Sequence, residues 1–275
     1  MKDNIEKIIL PGSPVRDPLD DLPHPVDHSD DFSFISLRVK RLTGKGVKVA
    51  IVDSGAPFHV SISDNITEHV NLLDHVSSHH DVFGHATMVS GVLGANSKQI
   101  HGIAPNVKFY TAKVSDNEGA SDFNALVAGV LWAVVKRVDI IVIALSTAID
   151  YPVLHNAIKK AYDENICIIA ASSNGKNGDL SYPSAYAECL GFVAKPKNKN
   201  LLDNMLDKQG NVIVQMPSNG IITTYQKDQY IRVYGSSFAA AIGAGILACL
   251  IEQKGKKSCH LDILYKDLLA LCNKQ

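Results

Sequence analysis

From Gly46 onward, short runs of β-branched and other apolar residues alternate with longer segments of helical periodicity. Strands are predicted at Val47–Val52, Val107–Val114, Asp139–Leu145 and Ile166–Ala171, and helices at Gly84–Gly94, Asp122–Lys136 and Val153–Glu164. Short strands near Leu190–Ala194, Val212–Gln215, Ile221–Tyr225 and Ile231–Tyr234 follow, and then a last helix at about Leu261–Leu271. Apolar strands separated by helices indicate crossover connections and a sheet that is covered on both faces. The pattern therefore predicts an α/β fold with a doubly wound, mostly parallel sheet.

A serine pair, Ser236 and Ser237, lies between Gly235 and the longest run of small and apolar residues, Phe238–Ala248. The run contains no proline, and the first charged residue after it is Glu252, so we predict a buried helix. Ser237 would lie in its first turn, where free backbone amides stabilise negative charge. On this stretch alone, an N-cap serine on a core helix remains the alternative interpretation.

Residues 1–40 have a different composition from the predicted domain at 41–275. Prolines and aspartates are interleaved there at a density that disfavours helix and central strand: Pro11, Pro14, Pro18, Pro23, Pro25, Asp17, Asp20, Asp21, Asp27, Asp30 and Asp31. We predict an extended N-terminal arm, which is either a disordered tail or a segment that lies across the body of the protein.

The composition limits the classes of binding partner and the cellular compartment that we expect for this protein. A formal net charge of -1 argues against nucleic acid or an anionic membrane as the main partner. No apolar run reaches the length of about 20 residues that spans a bilayer, and the run Ile8–Leu10 is too short for a signal-peptide core. The five cysteines are odd in number and lack metal-type spacing. We expect a cytoplasmic protein without disulfides, and its oligomeric state stays open.

Four polar residues lie at the ends of predicted elements: Asp53, His85, Asn174 and Ser237. Open α/β sheets carry their chemistry just beyond the carboxyl ends of the strands, so these side chains are expected to converge on one edge. A serine needs a base to remove its proton, and a histidine oriented by a carboxylate supplies that base. An amide donor then stabilises the oxyanion.

At this point the chain resembles the subtilisin-like serine peptidases. The similarity covers about residues 40–255 and rests on four stretches in the order of that family: Gly46–Gly55, His85–Gly91, Ala170–Gly175 and Gly235–Ala239. We take the chain as a divergent, intracellular-type member. The resemblance implies Ser237 as the nucleophile, His85 as the general base and acid, Asp53 as its orienting carboxylate and Asn174 as the oxyanion donor.

The resemblance also implies a function and its alternatives. We expect a serine endopeptidase that works through an acyl-enzyme on a specific intracellular peptide or protein substrate. A peptide ligase or macrocyclase of the same fold, and a non-catalytic binding protein that retains the fold, remain as alternatives. Substrate would pair with an edge after the third strand and contact a second wall. The residues implied for these walls are Ser115, Glu118, Gly119, Ala120, Ala144, Leu145 and Ser146.

Two further expectations concern metals and regulation. A cluster of histidines and acids, from Asp74 to His85, matches no defined metal motif, so we expect no metal there. By the same resemblance, the loop Ala95–His101 corresponds to the longer calcium-binding loop of many relatives; because it contains no acid, we expect that this calcium site is lost and that the protein has no cofactor. By resemblance to intracellular relatives, Leu10-Pro11-Gly12 would cross the active site and inhibit the enzyme, because proline resists productive placement. We expect no folded pro-domain of the secreted type.

Overall fold

The computed structural model describes residues 13–14, 19, 25–27, 42–172, 181–195, 203–206, 211–256 and 260–272. Its strands are β1 (Ser13–Pro14), β2 (Val26–Asp27), β3 (Lys48–Asp53), β4 (Ile66–Asn71), β5 (Ile100–His101), β6 (Lys108–Lys113), β7 (Ile140–Ile143), β8 (Cys167–Ala171), β9 (Cys189–Lys195), β10 (Asp203–Leu206), β11 (Val212–Pro217), β12 (Asn219–Thr224) and β13 (Tyr230–Tyr234). Its helices are α1 (His85–Gly94), α2 (Phe123–Val135), α3 (Pro152–Asp163), α4 (Ser236–Lys254) and α5 (Leu261–Cys272).

The central sheet has the strand order β10-β11-β9-β8-β7-β3-β6-β4. Every neighbouring pair is parallel except β10 and β11 at one edge. Side chains of β3 alternate between the two faces: Val49 and Ile51 join one apolar cluster, whereas Ala50 and Val52 join the other. Because both faces are apolar, both need a helical layer. The predicted α/β fold with a mostly parallel sheet is confirmed.

Helices cover the two faces unequally. The cluster that contains Val49 also contains buried residues of α1, α4 and α5, and the opposite cluster contains residues of α2 and α3. Helix α4 is buried from Ser236 to Ile251, as its uninterrupted run of small residues predicts. By length and composition, α4 is the one helix of the described chain that could span a membrane. Since 89% of its apolar window is buried inside the protein, we interpret it as a core helix.

The pattern of hydrophobic residues does not predict two strands of the central sheet, β4 and β10. Strand β4 carries Glu68 and His69 between its apolar residues and is only half-buried. Among the described strands, β10 pairs only with β11 and, like β4, lies at an edge of the sheet. An edge strand has one neighbour and often one solvated face, so its apolar signal is weak.

Parts of the N-terminal arm pair with the body of the protein. Strand β1 pairs antiparallel with β13, and Leu19 bridges Tyr230 on the same strand. Strand β2 pairs in parallel with β5. These described residues of the arm lie along the surface of the domain. The division at residues 40 and 41 stays a prediction.

The entry of the chain into the domain is anchored by one carboxylate on α4. Glu252 Oε2 accepts hydrogen bonds from the backbone N–H groups of Thr43 (2.7 Å), Gly44 (2.8 Å) and Lys45 (3.2 Å). This site lies at the end of α4 remote from Ser237, so a change there alters stability without touching the serine.

Candidate active site

Three neighbouring strands end at the same edge of the sheet. Asp53 is the last residue of β3 and lies opposite Lys113, the last residue of β6. On the other side of β3, Val52 lies opposite Ile143, which Ala144 follows along the chain. The parallel register therefore brings the residues after β3, β6 and β7 together at the edge where the sequence predicts Asp53.

Asp53 and His85 form a buried pair at this edge. Both side chains are fully buried, and His85 Nδ1 lies 2.9 Å from each carboxylate oxygen of Asp53. The backbone N–H of Ser54 donates to Asp53 Oδ1 at 2.7 Å and holds the carboxylate in place. A carboxylate accepts only, so Nδ1 carries the proton and Nε2 keeps its lone pair. Within the described residues, Nε2 is buried and makes no hydrogen bond.

Ser237 lies in the first turn of α4, and its hydroxyl donates to the carbonyl oxygen of Ala144 at 3.2 Å. The next residue, Phe238, has its ring centroid 6.0 Å from that of His85, at an interplanar angle of 49°. Since Ser237 is adjacent to Phe238, the start of α4 lies near the imidazole, and the Ser237 hydroxyl bonds to Ala144 rather than to His85 Nε2. The sequence-predicted acid, base and serine thus share one buried region.

The N-terminus of α1 is capped by side chains from outside the helix. Its N-cap residue, Gly84, has φ 93° and offers no side chain; an added Cβ would lie 2.9 Å from the ring of Tyr225. Instead, the N–H of Ala86 donates to Ser54 Oγ at 3.0 Å and that of Thr87 to Asp81 Oδ2 at 2.7 Å. Two of the orphan donors of the helix are thereby satisfied by groups beside the Asp53–His85 pair.

Buried charges set the proton affinity of the imidazole. Burial by itself lowers the pKa of His85, but the negative charges of Asp53 and Asp81 and the Asp53 hydrogen bond raise it above its ordinary value. Burial raises the pKa of Asp81, against the hydrogen bonds from Ser54 and Thr87. Burial lowers the pKa of Lys113, whose Nζ donates to the carbonyl oxygens of Ser54 (2.6 Å) and His80 (3.2 Å). The site therefore favours a basic imidazole.

Asn174, the predicted oxyanion donor, lies outside the described residues. Its strand, β8, ends at Ala171 one strand away from β3 across β7. The role of Asn174 stays a prediction.

The family model described as "Subtilase family" matches residues 44–263. The chain belongs to the subtilisin-like serine peptidase family. The match spans the sheet, all the described catalytic candidates and most of the helical layers, so the predicted family is confirmed.

Subtilases of known name resemble this chain over most of its length. It is 33% identical over 235 residues to the minor extracellular protease Epr of Bacillus subtilis. This match covers 82% of this chain and 36% of Epr. It is 30% identical to subtilisin Savinase of Lederbergia lenta, over 81% of this chain and 82% of that protein. It is also 30% identical to an intracellular serine protease of Paenibacillus polymyxa, over 82% of this chain and 73% of the relative. The chain thus spans about a third of Epr but most of the other two.

The first predicted substrate wall of this subtilase is a tight loop from Ser115 to Ser121. The two serine hydroxyls lie 2.6 Å apart at its base, and Asp116 Oδ1 accepts from the N–H groups of Glu118 (2.9 Å) and Ala120 (2.8 Å). Gly119 has φ 85°, and an added Cβ there would lie 2.6 Å from the ring of Phe83. The loop therefore rests on a residue two positions before His85.

The second predicted wall, Ala144–Ser146, follows β7. The Ala144 carbonyl already contacts Ser237. The Leu145 side chain is fully buried in the apolar cluster beneath α2 and α3, so only its backbone is available to a substrate. Ser146 is half-exposed. The structure places Ala144 against the serine, whereas the Leu145 side chain lies in the core and Ser146 is half-exposed, so the substrate role of all three stays a prediction.

Two residues of the site were not singled out by the motif spacing. Ser54 and Asp81 hold the start of α1, although the sequence shows them only as a strand-end serine and a member of a histidine-rich cluster. An acid a few residues before a helix start is the signal for such a cap. Among the described residues, no three histidine, cysteine or acidic side chains are grouped to hold a metal ion. The expectations of no cofactor and of a lost calcium site stay predictions.

Proposed function

We propose that the chain is a serine endopeptidase in which Ser237 is the nucleophile, His85 the general base and acid, and Asp53 the residue that orients and stabilises the imidazole. The observation that carries this proposal is the buried contact of His85 Nδ1 with both oxygens of Asp53. That contact selects the tautomer whose Nε2 accepts a proton, and Nε2 has no competing hydrogen bond among the described residues.

The reaction begins with rotation of the Ser237 hydroxyl from the Ala144 carbonyl toward His85 Nε2. The serine oxygen attacks the scissile carbonyl carbon while its proton passes to Nε2, and Asp53 stabilises the resulting imidazolium. The oxyanion lies at the N-terminus of α4, where the backbone N–H of Ser237 and the side chain of Asn174 would donate to it. Collapse breaks the peptide bond, and His85 returns the proton to the leaving amine.

The acyl-enzyme is then resolved by water, which His85 activates as before. An amine in place of water would give ligation or cyclisation, and the same residues would serve both outcomes. Hydrolysis is the simpler proposal because water needs no dedicated acceptor site. Analysis of products from a linear peptide in the presence of a second amine-bearing peptide distinguishes cleavage from transfer.

We propose that an extended peptide or protein substrate lies between the loop Ser115–Ser121 and Ala144–Ser146. Extended backbone pairing gives affinity, and alternate side-chain pockets give specificity. The printed names of the relatives include both an extracellular and an intracellular protease, so they do not choose a compartment. The cytoplasmic location stays a prediction.

A fluorophosphonate probe tests the proposed function. It should label the wild type, and the Ser237→Ala variant should lose the label, because the probe reacts with a serine that a neighbouring base activates. Ser236→Ala is the matched control: this neighbouring serine is equally buried, and its variant should still be labelled. Absence of labelling in the wild type, or its survival in Ser237→Ala, contradicts the proposal and favours a non-catalytic role.

We also propose that the N-terminal arm restrains the enzyme. In the pairing of β1 with β13, Ser13 lies opposite Tyr234, three positions before Ser237. Leu19 bridges Tyr230, so residue numbers fall along the arm as they rise along β13 toward the serine. Leu10, Pro11 and Gly12, predicted to inhibit, lie outside the described residues. The register supports an arm that leads toward the active site.

Removal of residues 1–40 is expected to raise kcat/KM on a short peptide by about 5- to 150-fold, the usual range of a coupling between two sites. Removal of residues 1–12 alone, which retains β1, should give most of this increase. Thermal unfolding of each truncated protein shows whether the domain stays folded. Folded truncations with unchanged or lower activity argue against restraint by the arm.

A further inference from the structure

Asp81 is a buried carboxylate whose two oxygens accept four hydrogen bonds. Oδ1 accepts from Ser54 Oγ (2.7 Å) and from the N–H of Gly84 (2.8 Å). Oδ2 accepts from the N–H and from Oγ1 of Thr87, both at 2.7 Å. Each of these contacts is buried, and none involves substrate or Ser237. An ionised carboxylate matches a set of four donors, because it accepts at both oxygens and donates at neither.

Ser54 connects this carboxylate to the Asp53–His85 pair. Its hydroxyl donates to Asp81 and accepts from the N–H of Ala86, the residue after His85. Its own N–H donates to Asp53 Oδ1. One short segment therefore contacts the catalytic carboxylate, the helix that carries the imidazole and Asp81. A shift in any of these bonds moves Asp53 relative to His85.

We propose that Asp81 is a positioning residue for His85: with Ser54, it locks the first turn of α1 so that Nδ1 stays bidentate on Asp53 and Nε2 faces Ser237. The proposal rests on the proposed serine-peptidase function and deepens it. The same contacts replace the side-chain cap that Gly84 lacks. Residues at the edge of the sheet therefore hold the start of the helix in place. A cap supplied by the helix itself would leave the helix free to shift against β3.

Asp81 also places a second negative charge beside the imidazole. Among the described residues, the charged groups that act on His85 are Asp53 from β3 and Asp81 from the loop before α1. Lys113 from β6 interacts with both acids and donates to the carbonyl oxygen of His80 in the same loop. The near face of α4 presents the uncharged ring of Phe238. Removing the negative charge of Asp81 leaves the positive charge of Lys113 less compensated. A positive imidazolium at His85 is then less stable. The histidine should then protonate at a lower pH.

The test is the isosteric variant Asp81→Asn. Its amide group must point a donor at either Gly84 N or Thr87 N, so at least one backbone bond to α1 is lost. We expect kcat to fall by about 10- to 100-fold, as for a small misplacement of a catalytic group, with KM unchanged. The acid limb of the pH profile of kcat/KM should move down by about half a pH unit or more.

A measurement that does not depend on enzyme activity tests this proposal separately from the proposed function. In a Ser237→Ala background, the imidazole titration of His85 followed by NMR should move to lower pH when Asp81→Asn is added. Glu252→Gln is the matched control, since it removes a carboxylate that accepts three backbone N–H groups far from the serine. That control should lower the thermal midpoint but leave the titration of His85 and kcat unchanged.

Each outcome of these experiments either supports or overturns the proposal. A lowered thermal midpoint for Asp81→Asn with an unchanged kcat and an unchanged His85 titration means a purely structural role and overturns the proposal. If Asp81→Asn does not fold, Ser54→Ala and Thr87→Val each remove a hydroxyl donor and keep the charge. These variants should lower kcat about tenfold without moving the acid limb; unchanged kcat in both overturns the proposal. Full activity of Ser237→Ala instead overturns the proposed function and leaves the NMR test of Asp81 intact.

Discussion

Replacing Ser237 by alanine is expected to lower kcat by about 10⁶-fold with little change in KM for a peptide substrate. The substitution removes only the hydroxyl group, and the proposed acyl-enzyme cannot form without the oxygen of that group. Substrate binding between the loop Ser115–Ser121 and Ala144–Ser146 would persist, because neither wall depends on the hydroxyl. Steady-state hydrolysis of a fluorogenic peptide, with the protein concentration set by absorbance, measures the loss.

Controls for this experiment come from the same turn. Ser236→Ala changes the neighbouring buried serine, and His85→Ala removes the proposed base. The first variant should keep kcat, whereas the second should lose nearly as much as Ser237→Ala, since nucleophile and base act as one unit. The double variant Ser237→Ala and His85→Ala should be no worse than either alone. Additive losses would show that the two residues act independently, contrary to the proposed mechanism.

Replacing Asp53 by asparagine is expected to lower kcat by about 10⁴-fold at neutral pH. An amide at this position donates toward Nδ1 and so favours the tautomer that carries its proton on Nε2, which then cannot accept from Ser237. The pKa of His85 is raised chiefly by Asp53 against the effect of burial. The general base must be unprotonated, so activity falls as pH drops through that pKa, and the acid limb should move to lower pH in the variant.

Asp139→Asn is the control for this charge removal. Asp139 lies at the opposite end of the same strands, where its Oδ2 accepts from the N–H of Lys48 at 2.7 Å and from Lys256 Nζ at 2.7 Å. Its replacement should cost stability but not kcat. Rates of peptide hydrolysis between pH 5 and 10, about the range in which imidazole and amine groups titrate, measure both effects. An Asp53→Asn variant with near-normal kcat would mean that Asp53 does not orient the base.

Most of the sheet follows from local pattern. The predicted run Val47–Val52 corresponds to β3, and Asp139–Leu145 to β7, because buried parallel strands are apolar at nearly every position between their ends. Helix α1 begins one residue after the predicted start, since Gly84 is its N-cap. Strand β4 was not predicted because its edge position allows polar residues. The pattern of hydrophobic residues thus indicates which segments are buried, and it does not predict strands that are only partly buried.

That Asp53 and His85 lie at one edge of the sheet follows from sequence, and their pairing follows from the resemblance to the subtilisin-like family. Asp81 and Ser54 do not follow, because their roles depend on which side chains cap a helix start that offers none of its own. Leu145 is predicted at a substrate wall, and because its side chain lies in the core, only its backbone can take that part. Spacing in a motif says which residues are near each other, but not which way they face.

By itself, the sequence determined the α/β architecture, the family and the residues that can supply an acid, a base and a serine. These features depend on residue type, on periodicity and on chain order, all of which can be read along the chain. Only the tertiary structure decided that His85 binds both oxygens of Asp53, that Ser237 contacts the Ala144 carbonyl and that the N-terminal arm pairs with β13. Such contacts join segments far apart in sequence, and hydrogen bonds require a distance and a direction that no spacing along the chain specifies.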